Sequence, residues 1–197
     1  MIEPDHHPFF AAAEMKNLYY LLMISTELEK AVDLHQRGHL DAATAKYLSV
    51  LKKDPKNSNA INNLGAIYFE TANLKLALDF FSQAVNLSPR DLGALYNLGR
   101  VFQEMEKWDE AIAAYKKALR IDRKNVATLE NLYEAFAVIG NDNAKLKTAQ
   151  TLVGLKRESK NFLALARAQK DTANYSEAQK NITEAIKIDG PRPNSLY

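Results

Sequence analysis

Asn63-Leu64-Gly65 recurs 34 residues later as Asn97-Leu98-Gly99, and again with one change as Asn131-Leu132-Tyr133. A fixed period of this length constrains the fold more than any other feature. Each period is one small supersecondary unit that cannot bury its apolar face alone, so consecutive units must stack. Other positions keep the same step. Tyr68, Phe102 and Phe136 form an aromatic series. Ala43, Ala77 and Ala111 form a small-residue series, followed by Tyr47, Phe81 and Tyr115. Ala84 matches Ala118, and Pro55 matches Pro89.

Within a period the apolar residues follow helical spacing. Ile61, Leu64, Ile67 and Tyr68 share one face of a first helix, and Ala77, Leu78, Phe81, Ala84 and Val85 share one face of a second. Asn73 separates the two, Pro89 stops the second, and Asp91 is placed to cap the next. The repeating units fall at about 24–57, 58–91, 92–125, 126–158 and 159–190. Residues 1–23 precede them as a helical segment, and 191–197 follow as a tail.

Asn-Leu-Gly, an aromatic, Glu-Ala or Leu-Ala, a second aromatic, alanine and proline, in that order, resemble the tetratricopeptide motif. The resemblance covers residues 24–190 and is most specific in the two central units. It implies an all-α chain in which about five antiparallel helix pairs stack as a right-handed superhelical α-α solenoid with a concave groove. Close packing gives the residues a reason. Gly65 and Gly99 let the helices of a pair approach, with Ala77 and Ala111 expected opposite them, while Ala84 and Ala118 admit the next pair.

The outer units depart from the motif. Ala31 stands at the glycine place of the first. In the fourth, Tyr133 takes that place and Lys145 replaces the usual alanine, which predicts a splayed pair with one residue missing from the loop near Glu158. Phe9 to Arg37 contains no proline or glycine, so one long helix or two abutting ones can form, with Thr26 and Glu29 as a capping box at a break near Ser25. Phe9, Phe10 and the run Leu18 to Ile24 are more apolar than one stripe needs. They either cover the first pair as an extra helix or form a self-association surface. After Asp189 the sequence Gly-Pro-Arg-Pro-Asn-Ser-Leu-Tyr has no helical pattern, so either the array continues in a longer chain or its last face is otherwise covered.

Composition excludes several classes. With 26 basic and 24 acidic residues the net charge is +2, which gives no reason to expect nucleic acid or an anionic membrane. The charge is uneven, since residues 1–34 hold six carboxylates against Lys16 and Lys30. No cysteine is present, which removes disulfides, thiol nucleophiles and thiolate metal sites and suits a cytoplasmic protein. The run Leu18 to Ile24 is far shorter than the roughly 20 residues that span a bilayer, and the start lacks the basic region of a secretory signal, so the chain reads as soluble.

Catalytic patterns are missing. No phosphate loop, nucleophile elbow or paired metal-ligand pattern occurs. His35 and His39 are four apart, but Gly38 between them marks a turn and no third ligand accompanies them; His6 and His7 read as tail. No catalytic, cofactor or metal residue is expected.

The resemblance places the groove on the first helix of each pair. Its inward residues are then Asn59, Asn62, Asn63, Phe69 and Glu70, followed by Tyr96, Asn97, Arg100, Gln103 and Glu104. Glu130, Asn131, Glu134 and Val138 come next, and Leu163, Arg167 and Lys170 last. Asn63, Asn97 and Asn131 set one carboxamide per unit along the floor, able to pair with both N–H and C=O of an extended peptide. This is similar to the asparagine ladder in the repeat domain of O-linked N-acetylglucosamine transferase, although asparagine is also common at this place in the motif. The carboxylate clamp of chaperone-binding members needs inward cations. Here Asn59, Gly93 and Ala127 stand where lysine is expected, and only the last unit offers one, Lys160. A terminal carboxylate would be left unpaired, so a clamp is rejected. Glu70, Glu104, Glu130 and Glu134 instead suit basic or neutral segments.

The leading expectation is a non-catalytic protein-interaction module or scaffold that takes a peptide or protein segment in the groove. One alternative is the substrate-recruiting repeat region of a larger enzyme such as a glycosyltransferase. The other is a self-assembling scaffold, a homo-oligomer joined through residues 9–24.

Overall fold

The computed structural model describes residues 12–190, with side chains from Glu14 onward. Expectations resting on His6, His7, Phe9, Phe10 and the tail lie outside the described residues. Among those described there are ten α-helices and no strand: α1 (Ala12–Gln36), α2 (Leu40–Lys53), α3 (Ser58–Glu70), α4 (Leu74–Leu87), α5 (Leu92–Glu104), α6 (Trp108–Ile121), α7 (Val126–Val138), α8 (Asp142–Leu155), α9 (Ser159–Asp171) and α10 (Tyr175–Asp189). The fold is an all-α helical repeat. Successive helices pair, and the chain divides into two compact units at residues 87 and 88. The first holds α1–α4 and the second α5–α10.

In the first unit Ile24, Ala31, Ala43, Tyr47, Val50, Ala60, Leu64 and Ile67 form one buried cluster. The second unit has two. Ala111, Ile112, Tyr115, Leu132, Ala135 and Phe136 form one, and Leu129, Tyr133, Ala149, Leu152, Leu165 and Ala168 form the other. Small residues set the spacing within a pair, but their partners differ from expectation. A Cβ on Gly65 would lie 2.8 Å from the Phe81 ring, and one on Gly99 would fall inside the surface of the Tyr115 ring. The glycines therefore receive the second-helix aromatics rather than Ala77 and Ala111. The fourth pair keeps the rule with sizes exchanged, large Tyr133 on the first helix and small Ala149 on the second. That exchange explains why tyrosine is tolerated where glycine stands elsewhere. Fewer residues of α7 and α8 approach one another closely than in the other pairs, in keeping with the expected splaying.

Helix starts repeat with the period. Asn57, Asp91 and Asn125 each accept from the backbone N–H three residues on, at 3.0 to 3.1 Å. Glu158 makes no such bond at the start of α9. The loop before it spans 156–158, against 122–125 one repeat earlier, which places the missing residue where the sequence put it.

The turn inside each pair also repeats, with one left-handed residue at Gly38, Ala72, Glu106, Gly140 and Ala173. This geometry lets Asn73, Lys107, Asn141 and Asn174 donate back to the closing helix at 2.7 to 2.9 Å. Ala72, Glu106 and Ala173 bear the steric cost of a side chain there. Ala72→Gly and Ala173→Gly are each expected to raise stability by about 0.5–1 kcal/mol, measured as a rise in the urea midpoint; a fall would contradict the assignment.

α1 runs without a break through Ser25. The Thr26 hydroxyl donates to the Leu22 carbonyl at 2.9 Å, a bond made within a continuing helix, so no capping box forms. Residues 12–23 therefore extend the first helix instead of folding back as a separate cap. Tyr20 donates to the Lys53 carbonyl at 2.7 Å, while Met15, Leu18, Tyr19 and Leu22 stay more than half exposed.

Lys145 is the one buried lysine among the described residues. Its ammonium bonds Asp142 at 2.6 Å and, across to the end of α9, Asp171 at 2.8 Å. Burial depresses the ammonium, but the two carboxylates outweigh it and hold the group above the usual lysine value. Because the folded value is raised, the stabilisation is complete below the unfolded lysine pKa of about 10.4 and is lost as pH rises through the folded one. Lys145→Met leaves two half-exposed carboxylates to rehydrate. It is expected to cost about 1–2 kcal/mol at neutral pH, and equal stability of variant and parent would show that the bridge contributes nothing.

Candidate functional site

In the second unit the first helices of the pairs, α5, α7 and α9, carry the residues that the sequence assigns to a groove. Four of these gather round one buried hydroxyl. Tyr115, from α6, is fully buried and donates to Gln103 Oε1 at 2.9 Å. Its ring lies tilted against Tyr96 with centroids 6.2 Å apart. The Arg100 guanidinium stands over the Tyr96 ring, 5.9 Å from its centroid. Burial, more than any neighbour, pushes the Tyr115 phenol far up; nearby Tyr96 adds to this, and the Asn131 carboxamide partly opposes it. Asn97, half-buried, occupies the same place on α5 that Asn131 holds on α7.

Tyr47 and Tyr133 are raised as well, chiefly by burial. Three buried phenols that stay neutral to higher pH in the folded state make stability complete below the unfolded tyrosine value of about 10 and decreasing above it. Alkaline unfolding is expected to release phenolate absorbance cooperatively with loss of helix. Ionisation of every tyrosine with the helix signal intact would refute that.

A second group lies between α7 and α9. Two adjoining hollows of about 300 and 310 Å³ share Tyr133, Glu134 and Arg167. Glu130, Lys160 and Asn161 also line the first, with Leu152 and Ala164, and Lys145, Lys170 and Asp171 border the second. Lys160 bonds Glu130 and lies 3.8 Å from Glu158. Lys160 is itself largely exposed, so this is a surface ion pair. The Tyr133 hydroxyl donates to the Ala164 carbonyl at 3.1 Å and ties α7 to α9. The face is acidic on α7 and basic on α9, where the first-helix carboxylates alone suggest an acidic floor. Sequence reasoning missed Tyr133 and Asn161 as lining residues. Tyr133 gave a signal, its size at a place built for glycine.

In the first unit, Asn59 is exposed on α3 and Asn62, Asn63 and Phe69 are half-buried. Asn63 is the polar group facing the buried Tyr47 hydroxyl, which closes no hydrogen bond of normal geometry. Glu70 pairs with His35 at 3.2 Å. Of the asparagine series, then, Asn63 and Asn131 both point at a tyrosine of the preceding second helix. The corresponding residue in the second repeat is Phe81, which has no hydroxyl.

Paired helices repeating in sequence, with polar and aromatic side chains set out along the first helix of each pair, define a helical-repeat fold. Residues 57–124 match the family model described as tetratricopeptide repeat. That stretch of the chain therefore consists of tetratricopeptide repeats. Comparison with curated proteins finds no significant match. Among solved structures, MamA is similar at TM-score 0.77 and 19% identity over 84% of this chain and 91% of that one. A second MamA structure, from AMB-1, gives 0.75 and 18% over 89% and 96%. YrrB, described as a TPR protein with an unusual peptide-binding site, gives 0.73 and 19% over 86% and 87%. At these identities the likeness shows the fold. No helix among the described residues is long and apolar enough to cross a membrane.

Proposed function

We propose that the chain is a non-catalytic interaction module whose α5–α7–α9 face receives a peptide or protein segment. The observation that carries this reading is the pair of joined hollows between α7 and α9, both lined by Tyr133 and Glu134 of α7 and by Arg167 of α9. Such a surface offers hydrogen-bond donors, acceptors and both signs of charge within one peptide's reach. Tyr96 and Arg100 extend the face along α5, and Asn97, Asn131, Glu104 and Glu130 are its remaining polar contacts. Asn59, Asn62, Asn63, Phe69 and Glu70 provide a like surface within the first unit. The YrrB description supports a peptide as the ligand class.

Peptides selected by display against the full chain provide the probe. Asn97→Ala is expected to weaken their binding about fivefold, the loss of one good hydrogen bond. Asn131→Ala is expected to weaken binding and also to lower stability through Tyr115. Unchanged affinity in both variants removes the carboxamides from the site.

A second reading, self-association through the N-terminal segment, is favoured by the exposed large apolar side chains of α1. It draws on a segment of the chain other than the α5–α7–α9 face.

A further inference from the structure

The exposed large apolar side chains of the described residues gather chiefly at two places. On α1, Met15, Leu18, Tyr19 and Leu22 follow the spacing i, i+3, i+4, i+7, so they form one continuous ridge. Tyr20 holds the same helix to the end of α2 from another side. The second place lies at the end of the second unit, where α9 and α10 leave a hollow of about 360 Å³. Leu163, Ala166, Ala178 and Ile182 make it apolar, and Arg167 and Lys170 stand at its rim.

The repeat explains what this hollow is. Moved back by 33 residues, Ala166, Arg167, Ala178 and Ile182 fall on Tyr133, Glu134, Lys145 and Ala149. That is the part of α7 and α8 on which α9 lies, tied by the Tyr133 bond to Ala164 and the Lys145 bond to Asp171. One repeat earlier, then, the same seat takes a helix of 13 residues. At the end seat alanines replace the tyrosine and the lysine, so the seat is wider and apolar. An occupant must bring large apolar side chains and needs no acid to meet a buried ammonium.

We propose that the Met15–Leu22 ridge of one copy docks in the α9–α10 hollow of a second copy. This rests on the self-association reading and names the surface that the N-terminal segment meets. Sizes match, because leucine, methionine and tyrosine side chains enter a seat floored by alanine. Length matches, because Ala12 to Met23 gives about three turns of helix. Charge matches as well. Residues 1–24 carry Glu3, Asp5 and Glu14 against Lys16, while Arg167 and Lys170 rim the hollow and no carboxylate lines it among the described residues. Donor and acceptor are different surfaces, so the contact is heterologous and extends from copy to copy beyond a dimer.

Sedimentation velocity of the full chain over a concentration series tests this. The parent is expected to form species that grow with concentration. Leu18→Glu with Leu22→Glu removes the ridge, and Leu163→Glu with Gln179→Glu removes the hollow; each variant alone is expected to stay monomeric. Mixed, the two are expected to form a 1:1 dimer and nothing larger, since each retains the half that the other lacks. A peptide of residues 12–25 is expected to bind the ridge variant and at least tenfold more weakly the hollow variant, a readout independent of how either assembles. A parent that is monomeric throughout overturns both the self-association reading and the docking proposal. Assembly lost in the ridge variant but kept in the hollow variant overturns the docking proposal alone.

Discussion

Replacing Gly99 by alanine is expected to destabilise the second unit by about 1–3 kcal/mol, even though alanine is the better helix former by about 1 kcal/mol. The added Cβ enters the space of the Tyr115 ring, which is fully buried and held through its hydroxyl to Gln103, so the ring has nowhere to turn. Gly154, on exposed α8 surface with nothing near its missing Cβ, gives the opposite sign. Gly154→Ala is expected to stabilise by about 0.5–1 kcal/mol. Urea midpoints at constant m read both effects. In a Tyr115→Leu background the cost of Gly99→Ala is expected to fall by more than 1 kcal/mol, because glycine and ring are coupled by contact. Equal cost in both backgrounds would show that the close approach is not what the glycine serves.

Much of this was legible because the physics is local and periodic. The cap at Asp91 follows from residue type and spacing, as does the short loop before Ser159, and Asn57 and Asn125 repeat that cap one period to either side. The partner of each glycine was not legible, since spacing within a helix does not say which turn of the neighbour it meets. Nor was the continuity of α1 through Ser25. Thr26 satisfies itself on the preceding turn as readily as it caps a new helix, and only the packing of Ile24 and Ala31 in one core decides between them. At the site, the sequence placed Glu130 and Glu134 on an acidic floor. It did not show that Lys160 and Arg167 of the following pair reach the same hollows, because that depends on how α9 sits on α7.

The second large effect concerns binding. Arg167→Glu is expected to weaken selected peptides by roughly 10–100-fold, about 1.4–2.8 kcal/mol. The substitution replaces the cation shared by both hollows with a third carboxylate beside Glu130 and Glu134. Loss of an attractive partner and gain of a repulsive neighbour act together, and the effect should shrink as salt is raised. Tyr96→Ala is expected to act through lost contact area and to show little salt dependence. Lys117→Glu, on exposed surface of α6, serves as the comparison and should leave affinity within twofold. A loss for Lys117→Glu equal to that for Arg167→Glu would mean that net charge, not the face, governs binding.

Hydrogen exchange of the full chain with and without a selected peptide reads the location directly. Slowed exchange concentrated in α5, α7 and α9 is the expected result, with α6 and α8 unchanged. Protection confined to α6 and α8, with the first helices unaffected, would contradict the assignment of the binding face.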